Sequence, residues 1–245
     1  MAQAPKKNPD QQRLFTPRGT LKWPKLNEPD HGTEKFPCKH EAGEYKTKLV
    51  LDRADPGVEA FLAKIDKAME RAEEIAEAEF LELPLKSRKT LEAKGGISKD
   101  LPYQEIYDEE TEEPTGKVEL LFKMAAGGNR KKDGKPWSAQ PDLFDAKGKP
   151  LNRKISIWGG SVAIINFDLT PYFMPGTGKW GLSRRLNAAQ IVELVSSGGT
   201  KSASSYGFGT EDGFDSGEYS DEDSTDEDGE DQTTGDGGDE ADPNF

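Results

Sequence analysis

The side chains in this sequence best suited to chemistry are cations set beside aromatics. They recur as Lys22/Trp23/Lys25, Tyr45/Lys46/Lys48, Phe122/Lys123, Arg130/Lys131/Lys132/Lys135/Trp137, Arg153/Lys154/Trp158, Tyr172/Phe173, Lys179/Trp180 and Arg184/Arg185. Cations pair with phosphates and aromatic faces stack on bases, each stack contributing about 1–3 kcal/mol. The chemistry such a set supports is the binding of single-stranded nucleic acid. From it we select Trp23, Lys25, Tyr45, Lys46, Lys48, Lys123, Arg130, Lys131, Trp137, Lys154, Tyr172, Phe173, Trp180 and Arg184 as candidate DNA-binding residues. Every aromatic has a competing role in the core. Phe122, Phe144 and Phe167 read as core, whereas Trp23, Trp137, Tyr172 and Trp180 stand beside turn residues and divide evenly between core and groove.

Other chemistries find no machinery. The run GTGKW at 176–180 fails as a phosphate loop, which needs glycine where Phe173 stands and Ser or Thr where Trp180 stands. His31, Cys38 and His40 are three zinc-type ligands where a structural site takes four, so no metal or other cofactor is expected. Cys38 and His40 lack a group to orient the histidine for nucleophilic catalysis. In the tail, Ser224 stands where an EF-hand loop with Gly229 as its sixth residue needs its first ligand. The carboxylates Glu70, Glu73, Glu74 and Glu77 fall on the polar side of an amphipathic helix rather than in a site. The chain does not read as an enzyme.

Charge divides the chain in two. The net charge is −13, yet residues 202–245 hold 16 of the 46 acids and no base. The preceding 201 residues then carry 30 acids against all 33 bases, a balance of +3. A body of that charge predicts a modest salt slope, about −0.7 per phosphate neutralised on single strands. The tail, rich in Asp, Glu, Gly and Ser, buries too little apolar surface to offset its ordering entropy and is expected to be disordered. A flexible polyanion tethered to a basic body should compete for whatever anion the body binds. Phe245, with Asp239, Glu240 and Asp242 before it, is a hook for an apolar pocket flanked by cations, and these four are the candidate partner-binding residues.

The elements that must position the cations and aromatics are mostly strands. Alternation predicts strands over Thr16 to Lys25, Tyr45 to Leu51, Lys117 to Met124, Val162 to Phe173 and within Leu182 to Val195, with shorter ones over Trp137 to Phe144 and Ile155 to Trp158. One helix is predicted, capped by Asp55 with Pro56 in its first turn and running to about Leu81. Residues 83–116 read as a long connection, and 127–135 as a basic glycine-rich turn. The expected class is mainly β, a small barrel with one inserted helix, since closure removes sheet edges. The expected division is a flexible basic arm over 1–14, a nucleic-acid-binding domain over 15–198 and an acidic tail over 199–245. The single cysteine excludes an internal disulfide framework, and no apolar run suits a membrane span or a secretory signal. A soluble, intracellular protein is expected.

Gly43-Glu-Tyr-Lys46, Asp100-Leu-Pro-Tyr103, Phe122-Lys-Met124, Asp145-Ala-Lys-Gly-Lys149, Ile157-Trp-Gly-Gly-Ser161, VAIINFDLTPY ending at Tyr172, Ile191-Val-Glu-Leu194 and the acidic tail with Phe245 follow one another in this order. Together they resemble the single-stranded DNA-binding proteins of short-tailed phages, the gene 2.5 type. The resemblance implies a five-stranded OB-fold barrel that coats single-stranded DNA and promotes annealing in phage replication, recombination and repair. It also implies a tail that engages the phage DNA polymerase and helicase–primase, frequent dimerisation, and a place in the cytoplasm of the infected bacterial host. By position, Lys123 matches a groove cation, Tyr172 a stacking tyrosine and Phe245 the terminal aromatic. Ala125, Met174 and Ala42 depart from the pattern; Trp137, Phe173 or Trp180 would supply the missing stacks, and Lys39 or His40 the missing arginine. The competing class is an acidic-tailed chaperone or DNA mimic whose tail binds basic partners.

Overall fold

A computed structural model describes residues 8–130 and 132–195. Lys131, the first half of the basic arm and the whole acidic tail, with Asp239, Glu240, Asp242 and Phe245, lie outside the described residues. In chain order the elements are β1 (Gln12–Phe15), β2 (Gly19–Asp30), β3 (Glu44–Asp52), α1 (Val58–Glu82), α2 (Leu85–Glu92), β4 (Ser98–Lys99), β5 (Gln104–Tyr107), β6 (Pro114–Ala125), β7 (Gly127–Asn129), β8 (Pro136–Ser138), β9 (Asp142–Phe144), β10 (Val162–Met174) and β11 (Lys179–Glu193). The class is mainly β with two helices. No helix among the described residues is long and apolar enough to cross a membrane.

Five long strands carry the architecture. β2, β3 and β6 pair antiparallel in sequence, as do β10 and β11. β10 also meets β2 at Val162↔Thr20 and Ala163↔Gly19, and β11 meets β6 in parallel at Arg185↔Lys123. Followed from strand to strand, the pairings return to their start, with two narrow seams. Gly19 sits at one seam, where a Cβ would come within 2.6 Å of the Leu51 side chain and 2.7 Å of the Val50 carbonyl oxygen.

Period-two alternation decides which side of each strand is buried. In β3, Tyr45, Thr47, Leu49 and Leu51 are buried while Lys46, Lys48 and Val50 face outward. Phe122 of β6 and Phe167 of β10 meet edge to face at 4.8 Å, and Phe61 of α1 joins Phe167 at 6.2 Å. The helix buries one stripe, from Val58 and Phe61 through Ile65 and Met69 to Ala76, at the spacing its sequence predicts.

Several expectations need correction. α1 starts at Val58 rather than at Pro56, because the chain turns into it through Gly57 at φ +85°, with no side-chain cap. The long connection over 83–116 contains α2, β4 and β5, and α2 buries only Leu91, too little apolar patterning to announce a helix. Trp137 to Phe144 is two strands with different partners, β8 on β7 and β9 on β11. Ile155 to Trp158 is a loop rather than a strand. The boundary drawn after residue 14 falls inside β1, which pairs with β10 and brings the Arg13 guanidinium to the buried Asp168 at 2.9 Å. Burial pushes that carboxyl up, but hydrogen bonds from Arg13 and Asn187 outweigh it and hold Asp168 below the usual carboxylate range.

Candidate nucleic-acid interface

Cross-strand neighbours in a sheet share a face. Register places Lys25 of β2 opposite Lys46 of β3, Lys46 opposite Lys123 of β6, and Lys123 opposite Arg185 of β11. Four cations from four strands thus stand in one outward row, about 14 Å long at the usual strand spacing. A second row begins with Lys22 opposite Lys48 and continues to the exposed Leu121. Neutral or acidic residues at these positions would leave the face without affinity for phosphate.

The rows are partly neutralised. Lys46 pairs with Asp30 at 2.8 Å, Lys123 with Glu44 at 3.8 Å, and Lys22 and Lys48 share Glu119, the former at 3.6 Å. The hydrogen bond from Lys46, with one from the Gly32 amide, holds Asp30 below the usual carboxylate range, and Asp30 in turn raises Lys46. Lys25 and Arg185 make no direct ion pair among the described residues. Six cations against three carboxylates leave the face positive, with each pair open to exchange for a phosphate.

Trp23 stands at the edge of these rows, 65% exposed, with the ammonium groups of Lys22 and Lys48 at 4.7 and 5.1 Å from its ring centre. Its φ is +50°, a conformation that costs a bulky residue about 1–3 kcal/mol. The irregular pairing of β2 between Lys22 and Lys25 is what turns the indole outward. Beyond it lies a cleft of about 510 Å³ between β2 and the 153–159 loop, lined by Trp23 from the first and by Trp158, 51% exposed, from the second. Lys25 and Lys154 line the cleft as well.

The structure treats the other candidates differently. Tyr45 and Trp180 are 7% and 3% exposed and belong to the core, so neither ring face is open to a base. Phe173 is half-buried and packed on the core. Tyr172 is half-buried and its hydroxyl donates to Asp100 at 2.6 Å; burial, then that carboxylate, pushes the phenol up to about 12. Arg184 spends its guanidinium on the carbonyl oxygens of Pro102, at 2.6 Å, and Leu121, at 3.0 Å, and burial lowers its pKa. Its neighbour Arg185 holds the outward place in the row. Trp137 lies half-buried over its cross-strand partner Gly128, and Arg130, 4.0 Å from Asp133, extends from the same hairpin. Arg185, Lys22 and Trp158 belong to the interleaved set in the sequence but not to the selected candidates; cross-strand register, invisible along the chain, is what singles them out. Phe122 and Phe167 are fully buried as expected, and Phe144 is half-buried. No group of three His, Cys, Asp or Glu side chains among the described residues is placed to hold a metal ion.

Known proteins resemble this chain in both sequence and fold. The family described as single-stranded DNA-binding protein, bacteriophage T7, matches residues 19–194, well over half of the chain. A single-stranded DNA-binding protein of Enterobacteria phage T3 is 27% identical over 174 residues, covering 71% of this chain and 72% of the relative. Its counterpart in Escherichia phage T7 is 26% identical over 177 residues, with the same coverage. The crystal structure of gp2.5, a single-stranded DNA-binding protein encoded by bacteriophage T7, superposes with a TM-score of 0.59 at 22% identity, covering 83% of this chain and 98% of that one.

Proposed function

This chain belongs to the family of T7-type phage single-stranded DNA-binding proteins, and we propose from that premise that it binds single-stranded DNA across the outer face of β2, β3, β6 and β11. The family's function is binding rather than catalysis. The observation that carries the reading is the row Lys25–Lys46–Lys123–Arg185, which gathers cations from four strands onto one surface. The five-strand circuit supports an OB-type barrel, and in that fold the second and third strands bind oligonucleotides. β3 and β6 are those strands here. Phosphates exchange with Asp30, Glu44 and Glu119 for the lysines, while Trp23 offers an indole to the bases.

The test is an anisotropy titration with oligo-dT and matched duplex, comparing the wild type with a Lys46→Ala/Lys123→Ala/Arg185→Ala variant across salt concentrations. Single-strand affinity should fall, and the slope of log K against log salt should flatten by about 2, since three contacts at about 0.7 each are lost. An unchanged slope would rule out the row.

The finer role is also a proposal. The protein coats and anneals single strands during phage replication and recombination in the host cytoplasm, as a homodimer. Its tail competes with DNA, and Phe245, with Asp239, Glu240 and Asp242, captures the phage polymerase and helicase–primase. Support comes from the 16 carboxylates without a base in residues 202–245 and from the family resemblance. Deleting residues 211–245 should raise DNA affinity, most at low salt, where the Debye length is long. Equal affinities at about 20 mM salt would argue against competition, on the long screening length there.

A further inference from the structure

We propose that the cleft between Trp23 and Trp158 is a distinct base-binding subsite, in which an unstacked base of a bound single strand lies against both indoles. Lys25 and Lys154 receive the phosphates on either side of it. The inference rests on the outer face being the DNA-binding surface, and adds where the strand goes when it leaves that face.

Three observations carry it. The first is continuity: Lys25 ends the four-cation row on β2 and also lines the cleft. A strand that follows the row past β2 therefore enters the cleft without crossing a neutral gap. The second is the pair of indoles, 65% and 51% exposed, contributed to the lining by segments more than a hundred residues apart. Base–aromatic stacking tolerates any base because each has a π-face, so this pair suits a protein without sequence preference.

The third observation is rigidity. The Asn27 side chain donates to the carbonyl oxygens of Arg153, at 2.8 Å, and Ile155, at 2.7 Å, and accepts from the Ile157 amide at 3.2 Å. The Trp158 amide donates to the Val195 carbonyl at 2.9 Å, and the Gly160 amide to that of Leu21, also at 2.9 Å. Arg153 is committed to the structure, since its guanidinium is bonded to the Leu26 and Pro141 carbonyls. The Trp158 loop is therefore tied to β2 before any ligand arrives, which reduces the ordering cost of binding. A cleft of about 510 Å³ also falls within the size range of preformed small-ligand sites.

The test uses the full chain and fluorescein-labelled oligo-dT. Trp158→Ala should weaken binding by about 5- to 150-fold, the cost of one lost stack, whereas Trp158→Phe keeps an aromatic face and should stay within about threefold of wild type. In the wild type, ultraviolet cross-linking to oligonucleotides carrying 5-iodouracil should yield adducts on Trp158 or Trp23. Wild-type affinity in Trp158→Ala, with the triple row variant weakened, would overturn the subsite and leave the DNA-binding face intact. Adducts confined to residues outside the cleft would do the same. Absence of oligo-dT binding by the wild type would remove the underlying reading itself.

Discussion

Lys22-Trp23 and Lys179-Trp180 are the same dipeptide on two strands of one domain, and their tryptophans have opposite fates. Trp23 is 65% exposed, at an irregularity in β2 that turns it out of the ladder. Trp180 is 3% exposed, in regular register with Phe173 on one side and with Lys99 of β4 on the other. The segment from β4 to Pro102 lies along it: the Asp100 amide donates to the Trp180 carbonyl at 2.7 Å, and Lys99 lies 5.8 Å from the ring. The same segment engages Tyr172 through Asp100 and Arg184 through Pro102. One region of the domain thus spends its aromatic and basic groups on holding a connection in place, while another leaves them to solvent. A cation next to an aromatic is a binding element only where strand irregularity and the lack of a covering segment leave it free.

The largest expected effect separates the two tryptophans by stability. Trp180→Ala should cost about 3–5 kcal/mol, as large core truncations do, and Trp23→Ala well under 1 kcal/mol, because its ring is outside the core. Urea denaturation of both variants measures this. Equal costs would erase the distinction between core and surface indole.

A smaller effect concerns the first of these regions. With Tyr172 held at about 12, the folded state keeps a proton that the unfolded chain releases near 10. Stability from this group is complete below pH 10 and is lost as pH rises through about 12. Asp100→Asn should bring the phenol down toward its ordinary value, leaving only the contribution of burial. Ultraviolet-detected alkaline titration, with Tyr172→Phe identifying the signal, tests it; an unmoved late-titrating tyrosine in Asp100→Asn would break the Tyr172–Asp100 link.

The smallest effect belongs to the open face. Glu119→Gln removes the carboxylate shared by Lys22 and Lys48. Single-strand affinity should rise up to about thirtyfold at low salt, since the part-exposed lysines hold pairs worth up to about 1 kcal/mol each and two cations are freed. A loss of affinity would mean that Glu119 positions the lysines rather than neutralising them.

Much of the fold was legible along the chain because its signals are local. The alternation from Tyr45 to Leu51 and the stripe from Val58 to Ala76 each follow from one period and one buried side. α2 was not legible, since eight residues with one buried leucine carry no pattern. Of the candidate site, Trp23, Lys25, Lys46, Lys48 and Lys123 fell together on one face, and Lys154 on the adjoining cleft. Tyr45 and Trp180 went to the core, and Arg185 rather than Arg184 joined the row. In β11 adjacent residues point to opposite faces, so a one-residue difference reverses a role.

By itself the sequence determined the mainly β class, the amphipathic helix, the basic-leaning body and the concentration of carboxylates after residue 201. These depend on composition and on periods of two and 3.6, which a chain carries wherever it folds. Tertiary structure alone decided which cations share a face and which indoles meet solvent. The parallel seam joins residues 123 and 185, and the cleft joins residues 23 and 158. Pairings so distant in sequence are set by the closing of the strand circuit, for which no local period exists.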